Sequence, residues 1–411
     1  MAIHIDRDRL VESMQEQAEI GGTDAGGLNR LTLTDADRRA RDWFAGQMDD
    51  LGLETWVDEF GNMFGRRAGT DPSAEPVLVG SHLDSQPYGG IYDGALGVVA
   101  ALEFIRTLED RDVATRRPVE IVNWTNEEGS RFQPAMQGSG VWAGAHDLET
   151  EYRRTDDDGV VLVDELERIG YRGDVPAEPQ TEYDAYLELH IEQGPYLEEN
   201  GMDVGVVTGM VGITWGAITF RGEANHSGPT PMHHRSDALV PAAELVGRIR
   251  EIPNTLGERT VGTTGSIDVS PNSINIVPES ATVTWDFRDP SAEIVGEARD
   301  RVLAEAENAA EREGVQWEAE ERLWADPIHF PDRTIDAVAR AADELEYESM
   351  EIFSGAGHDP HHTASVMDTG MVFAVSEDGK SHTEAEYTSW EDCYVASNTL
   401  ANAALMLAQS E

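Results

Sequence analysis

Strand-length apolar runs alternate with helical stretches along most of this chain, and one block of different order interrupts them. Pro76 to Gly80 is a short apolar run ending at Ser81. Gly94 to Leu108 carries apolar residues at helical spacing. Pro118–Trp124 and Ala185–Leu189 are strand-like again. The pattern resumes near the end with a helix at Thr334–Glu344, a strand at Met371–Val375 and a long helix from Ser389 to Ala408. Parallel neighbours in a sheet need crossover connections, which helices supply. The alternation therefore predicts an α/β domain with a mixed, mostly parallel sheet. Residues 1–60 read as helices, one of them from Asp35 to Leu51, and the acid-rich stretch Glu149–Asp158 reads as a solvated loop.

The interrupting block reads as strand Thr214–Arg221, helix Ser236–Ile252, strands Val261–Val269 and Ala281–Arg288, helix Pro290–Glu313 and strand Val315–Glu321. That order is β-α-β-β-α-β, a ferredoxin-like split unit. Glycines in Thr208–Gly212 and prolines in Trp324–Pro331 suit hinge points at its ends. The expected organisation is one domain made of residues 1–211 and 328–411, with residues 212–327 inserted into it. A chain of 411 residues is long enough for two or three domains.

Charge limits the partners. Asp and Glu number 79 against 30 Lys and Arg, a formal net charge of −49, and Lys380 is the only lysine. The acids are interspersed with regular apolar periodicity, so the reading is a folded protein with a carboxylate-rich surface. Self-repulsion at that charge destabilises the compact state, and salt screens it. The expectation is a halophilic protein from a salt-loaded cytoplasm. Nucleic acid is excluded as a partner, because phosphate binding needs a basic footprint. No apolar run approaches the ~20 residues of a membrane span. The first ten residues have neither the basic nor the apolar region of a secretory leader. Cys393 is the only cysteine, which excludes an internal disulfide and a cysteine-rich metal site.

Metal-competent side chains recur just past the strand-like runs. His82 follows one in Gly80-Ser81-His82-Leu83-Asp84, and Asp84 is placed to accept the second imidazole N–H and fix the ring. Asp93 follows a Gly-rich turn and precedes a helix, so alone it reads equally as an N-cap. Glu127 and Glu128 end another strand, where one can ligate while the other handles a proton. His190 ends Leu187-Glu188-Leu189, and His382 lies in Ser381-His382-Thr383-Glu384. Each alone is ordinary. Together, two carboxylates and three imidazoles suit borderline divalent metals such as Zn²⁺, Mn²⁺, Co²⁺ or Ni²⁺. A shared aspartate can hold two ions about 3.5–4 Å apart.

The segments GSHLDSQPYGGIYDGALGV, NEEGSRF, ELHIEQGPYLE, SGAGHD and SHTEAE resemble the N-carbamoyl-L-amino-acid hydrolase, allantoate amidohydrolase and β-ureidopropionase group of the M20 metallopeptidase-like family, a hydantoinase/carbamoylase type of amidase. The resemblance runs nearly end to end. It implies that His82, Asp93 and His190 hold one metal and that Asp93, Glu128 and His382 hold a second, with Asp93 bridging and Glu127 as general base. His190 separates the chain from the many peptidases of the wider family that carry a carboxylate there. The resemblance further implies that the inserted unit is a lid and dimerisation domain. His226 would reach the oxyanion in the partner subunit, and Asn275 and Arg288 would bind the substrate carboxylate. Gln193, Gly357 and His358 would be further substrate contacts. The implied activity is hydrolysis of the carbamoyl C–N bond of N-carbamoyl-L-amino acids by a cytoplasmic homodimer. Allantoate, then N-carbamoyl-β-alanine or a peptide, are the alternative substrates.

Overall fold

A computed structural model describes residues 2–410. They divide into two compact units, of which the second is Gly209–His329.

The first unit is built on a mixed sheet. Its strands run in the order Glu54–Val57, Met63–Arg67, Val119–Trp124, Val77–His82, Ala185–Ile191, Asp368–Ala374 and Val204–Met210, and Ser349–Ser354 also pairs with the last of these. The four strands from Val119–Trp124 to Asp368–Ala374 are parallel to one another. Antiparallel pairs flank them on both sides. Helix Ala95–Asp110 packs on Val77–His82 and Ala185–Ile191, and helix Trp390–Ala408 packs against both helix Ala95–Asp110 and helix Asp332–Glu344.

Alternation along the strands separates two layers. Val77, Val79, Leu187 and Leu189 join the large helical core. Leu78 and Tyr186 join an aromatic layer with Phe64, Trp124 and Trp142. Continuing that second parity along the strands brings His82, Glu188 and His190 to the aromatic side. The parallel strands all end at one edge, where open α/β sheets place their ligands.

Arg30 fixes the loop beyond His82 from below. It is fully buried and donates to the carbonyls of Leu83 at 2.6 Å, Gln17 at 2.8 Å and Ile20 at 3.1 Å. A planar fork can satisfy several carbonyls at once, which lets the guanidinium stay out of water.

The second unit has an antiparallel sheet in the order Ile267–Ser270, Ser280–Asp289, Gly212–Arg221 and Gln316–Ala325. Helices Leu239–Glu251 and Ala292–Glu313 pack on it, burying Ala281, Val283, Trp285 and Phe287 against Ala298, Val302 and Ala306. The chain enters and leaves this unit as an antiparallel pair, Met210 beside Ile328.

Three expectations need correction. Glu54–Val57 is a strand, not part of a helical region. Val261–Val269 is two short strands, because Thr284 Oγ1 takes the Ser266 amide at 2.9 Å and interrupts the ladder. Glu149–Asp158 is not wholly solvated. It begins in the short helix Leu148–Glu151, and Glu151 is buried, accepting from Gln137 and Arg154.

Candidate metal centre

Loops from four parallel strands converge at the sheet edge. His82 closes Val77–His82, Glu127 and Glu128 follow Val119–Trp124, His190 lies in Ala185–Ile191, and His382 follows Asp368–Ala374. Asp93 precedes helix Ala95–Asp110 and forms the hub. Its Oδ1 lies 2.9 Å from His190 Nε2 and 3.8 Å from His82 Nε2. Its Oδ2 lies 3.3 Å from His382 Nε2, which is 3.6 Å from Glu128 Oε2. Two groups of potential ligand atoms result, His82–Asp93–His190 and Asp93–Glu128–His382, each with its atoms within 4.8 Å of one another. Glu127 belongs to neither, and its Oε2 is 3.5 Å from His82 Nε2.

Gly94 makes the close approach possible. A Cβ there would lie 2.3 Å from the His82 ring, and its φ of +64° is a conformation glycine adopts without penalty.

The donor set fits a cation. Nδ1 of His82 is 2.9 Å from the Asp84 carbonyl, and Nδ1 of His190 is 2.9 Å from the Ile191 carbonyl. Carbonyls only accept, so each ring carries a proton on Nδ1 and turns Nε2 toward Asp93. At His82, Nε2 and Asp93 Oδ1 face each other across 3.8 Å as two electron-rich atoms, which call for something positive between them. His82 Nε2 is buried with no hydrogen-bond partner. Although burial works against its charge, the neighbouring imidazoles of His190, His382 and His82 hold Asp93 well below the usual carboxylate range. Burial pulls His190 down, but Asp93 outweighs it and the ring reaches about 9. The surrounding acids are pushed the other way, first by burial and then by one another. Glu128 rises to about 8, and Glu127 rises well above its ordinary value through Asp359, Glu128, Asp93 and Asp84. A buried pocket with this excess of carboxylates favours a multiply charged ion.

A third group, Glu188–His190–His358, is also close enough to ligate. Its carboxylate is already engaged, accepting from Ser81 at 2.9 Å and Tyr186 at 2.7 Å. His358 packs beside His190 with ring centroids 4.2 Å apart. This layer supports His190 from behind.

Asp84 differs from expectation. Its backbone carbonyl, not its carboxylate, takes the His82 N–H, and the carboxylate Oδ1 stands 3.7 Å away. The carboxylate instead accepts the amides of Glu127 and Glu128, at 3.3 Å each. The turn after Trp124 presents those two donors to it, and so Asp84 holds the Glu127–Glu128 turn.

Gln193 is brought into the cluster, its Nε2 3.1 Å from Asp93 Oδ2 and from Ser381 Oγ. His358 is buried with an unpartnered Nε2, and Gly357 directly precedes it. In the second unit, His226 is exposed and pairs in register with Ile276, beside Asn275. The Gly228 amide donates to His226 Nδ1 at 3.0 Å, which leaves the ring proton on Nε2. Arg288 rests its fork on Asp286 at 3.0–3.3 Å.

Sequence reading missed Gln86, Ser381 and Glu386. Gln86 holds both oxygens of Glu128, through its amide at 2.9 Å and its side chain at 2.7 Å. These residues stand 42 positions apart, and no spacing rule links them. Glu386 lies four residues after His382 in a motif already singled out, but the two amides it accepts, Tyr92 and Asp93, are far away in the chain.

Residues 78–406 match peptidase family M20/M25/M40. The chain is 42% identical over 405 residues to an N-carbamoyl-L-amino-acid amidohydrolase of Rhizobium meliloti, covering 98% of this chain and 97% of that protein. It is 39% identical over 411 residues to an N-carbamoyl-L-amino acid amidohydrolase of Geobacillus stearothermophilus, covering 99% and 100%. The crystal structure of a hydantoinase/carbamoylase family amidase from Burkholderia multivorans matches with a TM-score of 0.94 at 42% identity, over 99% of each chain. This chain is a hydrolase that belongs to peptidase family M20/M25/M40.

Proposed function

We propose that the chain is a metal-dependent amidohydrolase that cleaves the ureido C–N bond of N-carbamoyl-L-amino acids, giving the amino acid, ammonia and carbon dioxide. One observation carries this reading. The two oxygens of Asp93 face different ligand sets, and Glu127 stands beside them outside both. The names of the similar proteins support the substrate class.

His82, Asp93 and His190 would hold one divalent ion, and Asp93, Glu128 and His382 a second, drawn from Zn, Mn, Co or Ni. When bound, such ions polarise a carbonyl and bring the pKa of water toward neutrality. Glu127, with its raised affinity for protons, takes one from the attacking water and returns it to the leaving nitrogen. Asp84 keeps Glu127 and Glu128 in register by holding both amides. His226 carries its proton on Nε2 and is the proposed donor to the oxyanion. The planar fork of Arg288 suits a substrate carboxylate, with Asn275, Gln193, Gly357 and His358 as further contacts. The second unit is read as a ferredoxin-like lid through which a homodimer forms.

Ammonia release from N-carbamoyl-L-amino acids, allantoate and N-carbamoyl-β-alanine tests the proposal, run in molar KCl with Mn²⁺, Zn²⁺ or Co²⁺. Turnover fastest on N-carbamoyl-L-amino acids is expected. Cleavage of dipeptides without turnover of any ureido compound would overturn it.

A further inference from the structure

Glu386 is buried at 6% exposure and its carboxylate joins two ligand loops. Oε1 accepts the amides of Asp93 at 3.2 Å and Tyr92 at 3.3 Å. Oε2 accepts the Ser381 hydroxyl at 2.9 Å, and Ser381 Oγ is also 3.3 Å from Asp93 Oδ2. Gly90 is the residue that admits this carboxylate, since a Cβ there would lie 2.0 Å from Oε1. The neighbouring His382 needs such support. Its side chain is 49% exposed, against 5% for Asp93, and its φ is +56°. A non-glycine residue adopts positive φ uncommonly, and contacts around it help to hold it there.

We infer that Glu386 is a positioning residue that sets the gap between Asp93 and His382, and through it the affinity of the Asp93–Glu128–His382 group for a divalent cation. The inference rests on the reading of two metal groups. Asp93 belongs to both groups, but His82 and His190 are fixed by backbone carbonyls, so the first group keeps two of its three ligands in place and depends less on the clamp than the second. The cost of losing a partner behind a ligand is about 10–100-fold in metal affinity.

The test is a calorimetric titration of the metal-free full-length protein with Zn²⁺ in molar KCl, for wild type, Glu386→Ala, Glu386→Gln and Ser381→Ala, with circular dichroism to check the fold. Wild type is expected to take two ions. Glu386→Ala should weaken the second ion about 10–100-fold and the first by clearly less, since His82 and His190 keep their anchors. Glu386→Gln should recover part of that loss, because its amide oxygen still accepts from Tyr92 and Asp93. An unchanged second affinity in Glu386→Ala, or equal weakening of both ions, would overturn the inference. If Glu386→Ala loses its fold, Ser381→Ala decides, since it cuts the arm to the His382 loop and leaves the two amides satisfied. A second affinity equal to wild type in that variant would overturn the inference too. A wild type that takes fewer than two ions overturns the two-group reading itself, before any variant is compared.

Discussion

Asp93 Oδ1 and His190 Nε2 stand 2.9 Å apart, with the other nitrogen of the ring tied to the Ile191 carbonyl. The ring therefore cannot turn away from the carboxylate, and the carboxylate also faces His382 through its second oxygen. Asp93→Asn keeps the shape but replaces one of those oxygens by an NH₂ that only donates. Bound metal, measured by atomic absorption after dialysis, should fall for both groups together. A variant that still holds two ions would show that Asp93 is not shared.

Glu127 is separated from its neighbour by what surrounds it. Glu128 has both oxygens engaged by Gln86, whereas Glu127 faces His82 and is flanked by acids. Glu127→Gln should retain the metals and lose about 10²–10⁴-fold in turnover, the usual scale of acid–base catalysis. Ammonia release together with metal content checks it. Near-normal turnover would remove Glu127 from proton transfer.

Four of the five candidate ligands were legible because they lie at or just past a strand end, and strands announce themselves as apolar runs; Asp93, ahead of helix Ala95–Asp110, had no such mark. Their grouping was not legible from spacing, since His82, Asp93, His190 and His382 are widely separated in the chain. It came from the resemblance of the surrounding motifs. Asp84 was misjudged because a side-chain carboxylate and a backbone carbonyl two residues past His82 are interchangeable acceptors on paper. Only the geometry of the turn after Trp124 decides between them. Glu54–Val57 went unseen because it is a half-exposed edge strand, without the apolar alternation that marks buried ones. Gln86 and Glu386 act through backbone amides and loops brought close by the fold, for which a sequence carries no periodic signal.

Gly94 tests how tightly the cage is built. Gly94→Ala puts a methyl 2.3 Å from the His82 ring atoms and forces a side-chain residue to φ of +64°. With ψ of −48° the backbone lies near the rare, strained γ-turn rather than the left-handed helical region, so it opposes a side chain by itself. His82 is fully buried and has no room to retreat, so the variant should melt at a lower temperature and take up less metal at a fixed concentration. A melt and a metal content both equal to wild type would mean that the loop carrying Gly94 moves freely.

The charge of the chain sets the last expectation. With 79 acids against 30 bases, pairing cannot neutralise the surface, and several arginines already serve two acids each. Arg131 holds Asp156 and Glu165, Arg168 holds Asp35 and Glu165, and Arg333 holds Asp184 and Asp368. The remaining carboxylates repel at distances where the Debye length governs, about 10 Å at 0.1 M salt and 3 Å at 1 M. Salt therefore weakens repulsion across the surface more than it weakens the short, partly buried arginine pairs. The melting temperature should rise steadily from low to molar KCl, and it should rise equally in NaCl if screening is the cause. A melting temperature that is flat or falling over that range would show that the excess charge is not a significant destabilising force in this fold.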